Sequence, residues 1–342
     1  MTDRRLHVAQ LAARPNWHDL PREEVIDPAR EIVDPHHHLW DRPDARYLLE
    51  ELEADCEAHD IVQTVFIECR AEWRKDGPEA FRPVGETEFV AREAARSDAS
   101  PRRPVIAGIV AHADLRSPEL DAVLDAHEAA GGGRFRGIRH SAASDPEPAA
   151  LTIPGRSEPG LFLDPAFQRG LRRLGERGLT YDSWHYHHQM DEFIAACRAA
   201  PGTTIVMDHF GCPLGVGRFE GKRSEIFARW KDQVDELASL PNVHAKLGGL
   251  AMPDNGFGWH DRASPPSSEE LADSQRAWHL HAIAAFGPER CMFESNFPVD
   301  RASVGPVALW NALKRIAADQ PEAAKAQLFA GTARRVYKLP GA

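Results

Sequence analysis

The chain has 342 residues, 42% hydrophobic and 27% charged, with a net charge of −11. This is an ordinary composition for a globular protein, and its acidic balance argues against nucleic acid or an anionic membrane surface as partner, since both need a basic face. No apolar run approaches the ~18 residues of a membrane span, and no apolar stretch follows Met1–Arg5 as a secretory signal would require.

The five cysteines (Cys56, Cys69, Cys197, Cys212, Cys291) are odd in number and form no CxxC pair. They fit reduced thiols in a cytoplasmic protein better than a disulfide framework. The 17 histidines are more than this length leads one to expect, and many follow predicted strands.

Residues 1–29 are polar, contain Pro15, Pro21 and Pro28, and read as an arm lying on the main domain or on a partner subunit. Ile32–Val33 then opens a strand that ends in DPHHHLWD, residues 34–41. Side chains alternate along a strand, so His36 and His38 share one face and His37 takes the other. Two imidazoles on one face at a strand end can grip a metal or a polarised carbonyl. The competing reading is a His cluster at a surface turn.

Apolar periodicity predicts a helix over 48–59, a strand over 61–68 (IVQTVFIE) and a helix from about 85 to 96. Strand 105–110 runs toward His112 and Asp114, and helix 120–130 stops at Gly131-Gly132-Gly133. Strand 135–140 (FRGIRH) leads into a long Pro-rich loop, then helix 166–178 and strand 179–182, which exits through SWHYHHQ. Helix 190–200, strand 203–209 (TTIVMDH), helix 227–238 and strand 243–247 follow, then an irregular stretch over 248–267. Helix 269–286 and strand 291–294 complete the pattern, with C-terminal helices over 307–318 and 323–333.

Eight strands alternating with helices predict a single (β/α)8 barrel over residues 30–342. The alternative, an open doubly wound sheet, usually has a Gly-rich phosphate loop after its first strand, where this chain has Asp34-Pro35-His36. Barrel active sites lie at the C-terminal ends of the strands. Those ends carry His36 and His38, Glu68, His112, Arg139 and His140, Asp182, His209, Lys246, then Glu294 and Asn296. The long loops after strands 2, 4 and 7 would wall a pocket on that face.

DPHHHLWD, RGIRH, YDSWHYHHQ, MDHFG, AKLGGL and FESNFPVD, in this order between about residues 31 and 338, resemble the amidohydrolase superfamily. Within it they resemble the branch of 2-pyrone-4,6-dicarboxylate, L-fucono-1,5- and sulfomuconolactonases. The resemblance implies hydrolysis of a carboxylated or sugar lactone, with or without a divalent metal, zinc or manganese. It assigns His36 and His38 to metal or scissile-group contact, and it matches His209 to the strand-6 histidine. It gives Arg139 to a substrate carboxylate and places His188 in the strand-5 His-Gln position.

Where many members have a strand-8 Asp, this chain has Asn296, which is neither a base nor a good ligand for a hard metal. Glu294, one pleat deeper, or Asp300 would then supply the carboxylate, and Asp182 stands where metal-rich relatives have His. The expected substrate contacts are Arg139, His188, Lys246, Glu68 and Asp182. His36, His38, His209, Glu294 and Asn296 form the expected catalytic group. The expected partner is an acidic or sugar-derived small molecule, on a protein that barrel precedent makes a homodimer. Two rival functions remain: decarboxylation of an aromatic or muconate-type acid on the same barrel, and ligand binding without turnover.

Overall fold

Eight parallel strands pair in sequence order to form one sheet. They are β1 (Ile32–His37), β2 (Ile61–Ile67), β3 (Val105–Ala111), β4 (Phe135–Ile138), β5 (Thr180–Ser183), β6 (Thr204–Met207), β7 (Val243–Leu247) and β8 (Cys291–Phe293). A parallel bridge between His37 and Phe297 brings the ends of the sheet together, and the Asn296 amide donates to the His36 carbonyl at 3.0 Å. The result is the (β/α)8 barrel expected from the sequence. The computed structural model describes residues 8, 10–14, 16–42 and 45–341. Residues 1–7, 9 and 15 of the expected arm lie outside the described residues.

The strands are buried on both faces, which is why they read as near-continuous apolar runs. Their outward side chains, such as Phe66, Ile109 and Phe293, pack under eight helices. These are α1 (Leu49–Cys56), α2 (Val84–Ala99), α3 (Leu120–Ala130), α4 (Pro165–Glu176), α5 (Met190–Ala199), α6 (Arg223–Ala238), α7 (Ser268–Phe286) and α8 (Pro306–Ile316). Helix starts follow local chemistry. Asp164 accepts from the Ala166 amide at 2.7 Å, with Pro165 at the first helical position. Inward side chains, among them Val33, Val65, Val110 and Val206, form a separate cluster that Val336, Tyr337 and Leu339 complete. The C-terminal segment thus closes the lower half of the barrel and leaves the upper half to polar groups.

The structure departs from the expected elements in three places. The predicted helix over 323–333 divides into Glu322–Ala326, a π-turn Gln327–Gly331 and Thr332–Val336. The wider turn buries Leu328, Phe329 and Ala330 in succession, which an α-helical face could not do. The strand predicted over 203–209 ends at Met207, because His209 and Phe210 adopt positive φ, 54° and 57°. The first strand, expected to end in residues 34–41, stops at His37, and Trp40–Arg42 instead pairs with Ala45–Tyr47 in a short antiparallel ribbon. No helix among the described residues is long and apolar enough to cross a membrane. All five cysteines are free thiols.

Gly137 on β4 is dictated by its neighbour: a Cβ there would lie 2.0 Å from Thr180 Oγ1 and 2.5 Å from Thr180 O. Overpacking of this kind costs about 1–3 kcal/mol. Gly137→Ala is therefore expected to lower the urea midpoint with an unchanged m-value, whereas Gly202→Ala, where a Cβ meets nothing within 4 Å, should leave the midpoint in place.

Candidate active site

A cavity of about 340 Å³ opens among the residues that follow the strands: His38, Glu68, His112, Arg139, Trp184, His209, Met252 and Asn296. One comes from the end of each strand, so the cavity sits at the C-terminal mouth of the barrel. Ile153, Ser157 and Glu158 of the loop after β4 wall it on one side, and Cys69 and Arg70 of the loop after β2 on another.

At and beneath the cavity floor lies a buried charge network. Lys246 Nζ is 2.7 Å from Asp182 and 3.1 Å from Asp208. Asp182 also accepts from Tyr337 OH at 2.5 Å and from Thr180 Oγ1 at 3.1 Å. Arg139 Nε donates to Glu68 at 3.0 Å, Arg139 Nη1 lies 3.4 Å from Asp208, and Nη2 donates to the Glu68 carbonyl. Burial pushes the Asp208 carboxyl up, but Lys246, His209 and Arg139 outweigh it and hold the group below the usual carboxylate range.

His36 stands between this network and the cavity. Its Nε2 faces Arg139 at 3.4 Å, and its Nδ1 lies 3.3 Å from Lys246 and 2.9 Å from Glu294 Oε2. Burial, reinforced by Lys246, lowers its pKa well below the ordinary imidazole value, so the ring is neutral. Two rings on the cavity have their tautomers set by their partners. His209 Nδ1 donates to Glu294 Oε1 at 2.7 Å, and His38 Nδ1 donates to the Ile67 carbonyl at 2.8 Å. A neutral ring with its proton on Nδ1 presents a bare Nε2.

The backbone makes room for these side chains. A Cβ on Gly249, which has φ +74°, would lie 2.3 Å from His209 Nδ1, and one on Gly248 would lie 2.4 Å from Glu294 Cγ. The Gly-Gly pair after β7 is thus the surface against which the His209–Glu294 pair packs. Asn296, also at positive φ (55°), donates from Nδ2 to Asp300 at 2.9 Å, and Asp300 accepts from the Ala251 amide at 3.0 Å.

Among the described residues, His36, His209 and Glu294 form a group whose ligand atoms lie within 4.8 Å of one another. Two imidazoles and a carboxylate suit a divalent ion. Glu294 Oε2 makes no well-aligned hydrogen bond, its neighbour being His36 Nδ1 at 2.9 Å, and the network around it contains Glu68, Asp182, Asp208 and Glu294 against Arg139 and Lys246. The residues present therefore fit a dication in both ligand type and charge.

The remaining residues singled out from the sequence fall in different places. The group of three joins His36 to His209 and Glu294 rather than to His38, whose ring stacks edge to face on His36 at 5.0 Å. Lys246 and Asp182 are buried below the floor and do not line the cavity, so the structure gives them network contacts in place of the expected substrate contact. Arg139 and Glu68 line the cavity but are bonded to each other. His188 lies off the cavity lining, on Asp145 at 3.0 Å and stacked on Phe219. His185 packs between Phe162 and Phe193.

Sequence reasoning missed Arg42, Arg70 and Arg156. All three line the cavity, and among the described residues none has a carboxylate within ion-pair range. Arg42 ends a short ribbon strand and Arg70 and Arg156 lie on loops, so no shared periodicity marks them and only the fold gathers them.

Residues 33–339 match the sequence model of the Amidohydrolase family. The chain belongs to the amidohydrolase family. It is 31% identical over 331 residues to protein y4mH of Sinorhizobium fredii, spanning 90% of this chain and 98% of that one. It is 30% identical over 237 residues to L-fucono-1,5-lactonase of Burkholderia multivorans, 69% of this chain and 72% of the lactonase. A zinc-bound amidohydrolase structure from Burkholderia multivorans superposes with a TM-score of 0.72 at 25% identity, over 90% of this chain and 99% of the other. This amidohydrolase is accordingly a hydrolase.

Removing one member of a buried ion network leaves its partners charged and unpaired, at a cost of about 3–5 kcal/mol. Lys246→Met is expected to lose stability in that range in urea denaturation, and a loss under about 1 kcal/mol would contradict the network's placement. Tyr337→Phe, which removes only one donor to Asp182, should cost about 1–2 kcal/mol.

Proposed function

We propose that this amidohydrolase opens a lactone that carries a carboxylate, by attack of water on the ring carbonyl. The observation that carries the reading is the His209–Glu294 pair at the cavity floor. Glu294 accepts the hydrogen bond of His209 Nδ1–H at 2.7 Å, which directs Nε2 to the cavity, where it can accept a proton from water. The same histidine then returns that proton to the departing ring oxygen, so one group serves both halves of the reaction. Arg139, held by Glu68 and Asp208, places fixed positive charge at the floor, where charge develops on the attacked carbonyl. Arg42, Arg70 and Arg156 on the cavity lining supply charge-assisted hydrogen bonds to the substrate carboxylate.

A divalent ion, zinc or manganese, held by His36, His209 and Glu294 would supply Lewis-acid activation of water or carbonyl at the same place. The 4.8 Å grouping of these three residues favours that version, and the 2.7 Å His209–Glu294 hydrogen bond favours the dyad acting alone.

The test is proton release from a panel of sugar lactones and carboxylated lactones. His209→Ala and Glu294→Gln are each expected to lower kcat/KM by about 10²–10⁴-fold. Carbon dioxide release from aromatic acids without lactone opening would overturn the reading in favour of a decarboxylase. Chelation followed by elemental analysis separates the two versions of the site. Activity lost with the metal and restored by zinc or manganese identifies the ion, and activity retained at full rate without metal identifies the dyad.

A further inference from the structure

Two imidazoles on the cavity wall have no part in the chemistry above: His112, just past β3, and His140, two residues past β4. Their rings meet edge to face, with centroids 5.4 Å apart. His112 Nδ1 lies 3.1 Å from the Arg139 carbonyl oxygen. A carbonyl only accepts, so this nitrogen carries the proton and His112 Nε2 presents a lone pair. His140 Nδ1 lies 3.2 Å from the Leu115 amide. An amide N–H only donates, so this nitrogen is bare and His140 Nε2 carries the proton.

The surroundings keep both tautomers in place. Burial lowers both pKa values, that of His140 to about 3, so neither ring takes a second proton near neutral pH. Asp114, 3.7 Å from His140 Nδ1, is held by Arg116 at 3.1 Å through both its oxygens. The His112 carbonyl is anchored by His127 Nε2 at 3.0 Å, and His127 is itself bonded to Thr87 at 2.8 Å. Among the described residues neither His112 Nε2 nor His140 Nε2 has a hydrogen-bond partner. The wall therefore offers one acceptor and one donor side by side.

We propose that His112 and His140 form a hydroxyl-recognition pair, His112 Nε2 accepting from and His140 Nε2–H donating to hydroxyls of the substrate. A hydroxyl both donates and accepts and so satisfies both nitrogens. An unsaturated or aromatic lactone without hydroxyls has acceptors for His140 Nε2–H but no donor for His112 Nε2, which would lose its water unreplaced. The inference rests on the lactonase reading for the identity of the ring, and on these two residues alone for its hydroxyls.

The test uses D-glucarate and adipate, which share one dicarboxylate skeleton and differ only in hydroxyls, titrated calorimetrically into the full-length protein. The wild type is expected to bind D-glucarate at least on the order of tenfold more tightly than adipate. His112→Phe and His140→Phe should remove that preference, whereas His112→Gln and His140→Gln, which keep polar groups on the wall, should retain part of it. Melting curves establish that each variant is folded. A wild type without the preference, or a preference that survives both Phe variants, overturns the proposal. Hydrolysis of D-glucaro-1,4-lactone is measured alongside. No hydrolysis with the binding preference intact strikes the lactonase reading and leaves the pair, and hydrolysis without the preference does the reverse.

Discussion

The rest of the barrel mouth is built on the ion network of Lys246, Asp182, Asp208 and Arg139. A buried ammonium and a buried guanidinium persist only if every charge finds its partner. Here the partners come from five strands: Glu68 after β2, Arg139 after β4, Asp182 in β5, Asp208 after β6 and Lys246 in β7. The network thus fixes the relative height of those strands as well as their charge. Tyr337, from the segment that plugs the barrel's lower half, donates to Asp182 and ties the plug to the site. Fold and site are therefore one construction here: the C-terminal residues that complete the apolar core also complete the polar one.

Above that network the site depends on backbone conformations that most residues avoid. His209, Phe210 and Asn296 all have positive φ, a costly region for residues with a Cβ. Each follows a strand end; His209 and Asn296 turn onto the cavity, while Phe210 packs outward on Trp230 and His279. The glycines opposite allow the turn, since any Cβ on Gly248 or Gly249 would occupy the space of Glu294 or His209. Strain at one strand end is matched by empty space at its neighbour.

This pairing explains what the sequence disclosed and what it hid. The eight strands were legible because a parallel sheet buried on both faces leaves near-continuous apolar runs, and most helices because one apolar stripe faces the barrel. Glu294 and Asp300 were both legible as carboxylates beside Asn296, and the structure sets Glu294 against His209 and Asp300 against Asn296. The depth of each group was not legible. Lys246 and Asp182 read as mouth residues because strand-end position does not say whether a side chain faces the cavity or the network beneath it. The His36–His209–Glu294 grouping joins three strands through side-chain reach, which no local spacing encodes. The C-terminal helix broke into a π-turn for a similar reason: its path answers to Phe293 and the barrel floor, not to its own periodicity.

The charge of the whole chain is a poor guide to its cavity. A protein of net charge −11 places Arg42, Arg70, Arg116, Arg139 and Arg156 around one opening. The carboxylates there already face arginines, Glu68 bound to Arg139 and Asp114 to Arg116, with Glu158 3.9 Å from Arg116. Low-dielectric walls focus such a field into the opening, so an anion repelled by the outer surface is drawn in once it reaches the mouth. The same walls make any unmatched polar group on the ligand or the lining expensive. Attraction by the arginines is long-ranged and tolerant of shape, whereas the fixed tautomers of His112 and His140 act only at contact and together favour a group that both donates and accepts a hydrogen bond. Selection at this site therefore falls to the two neutral histidines, and capture to the arginines.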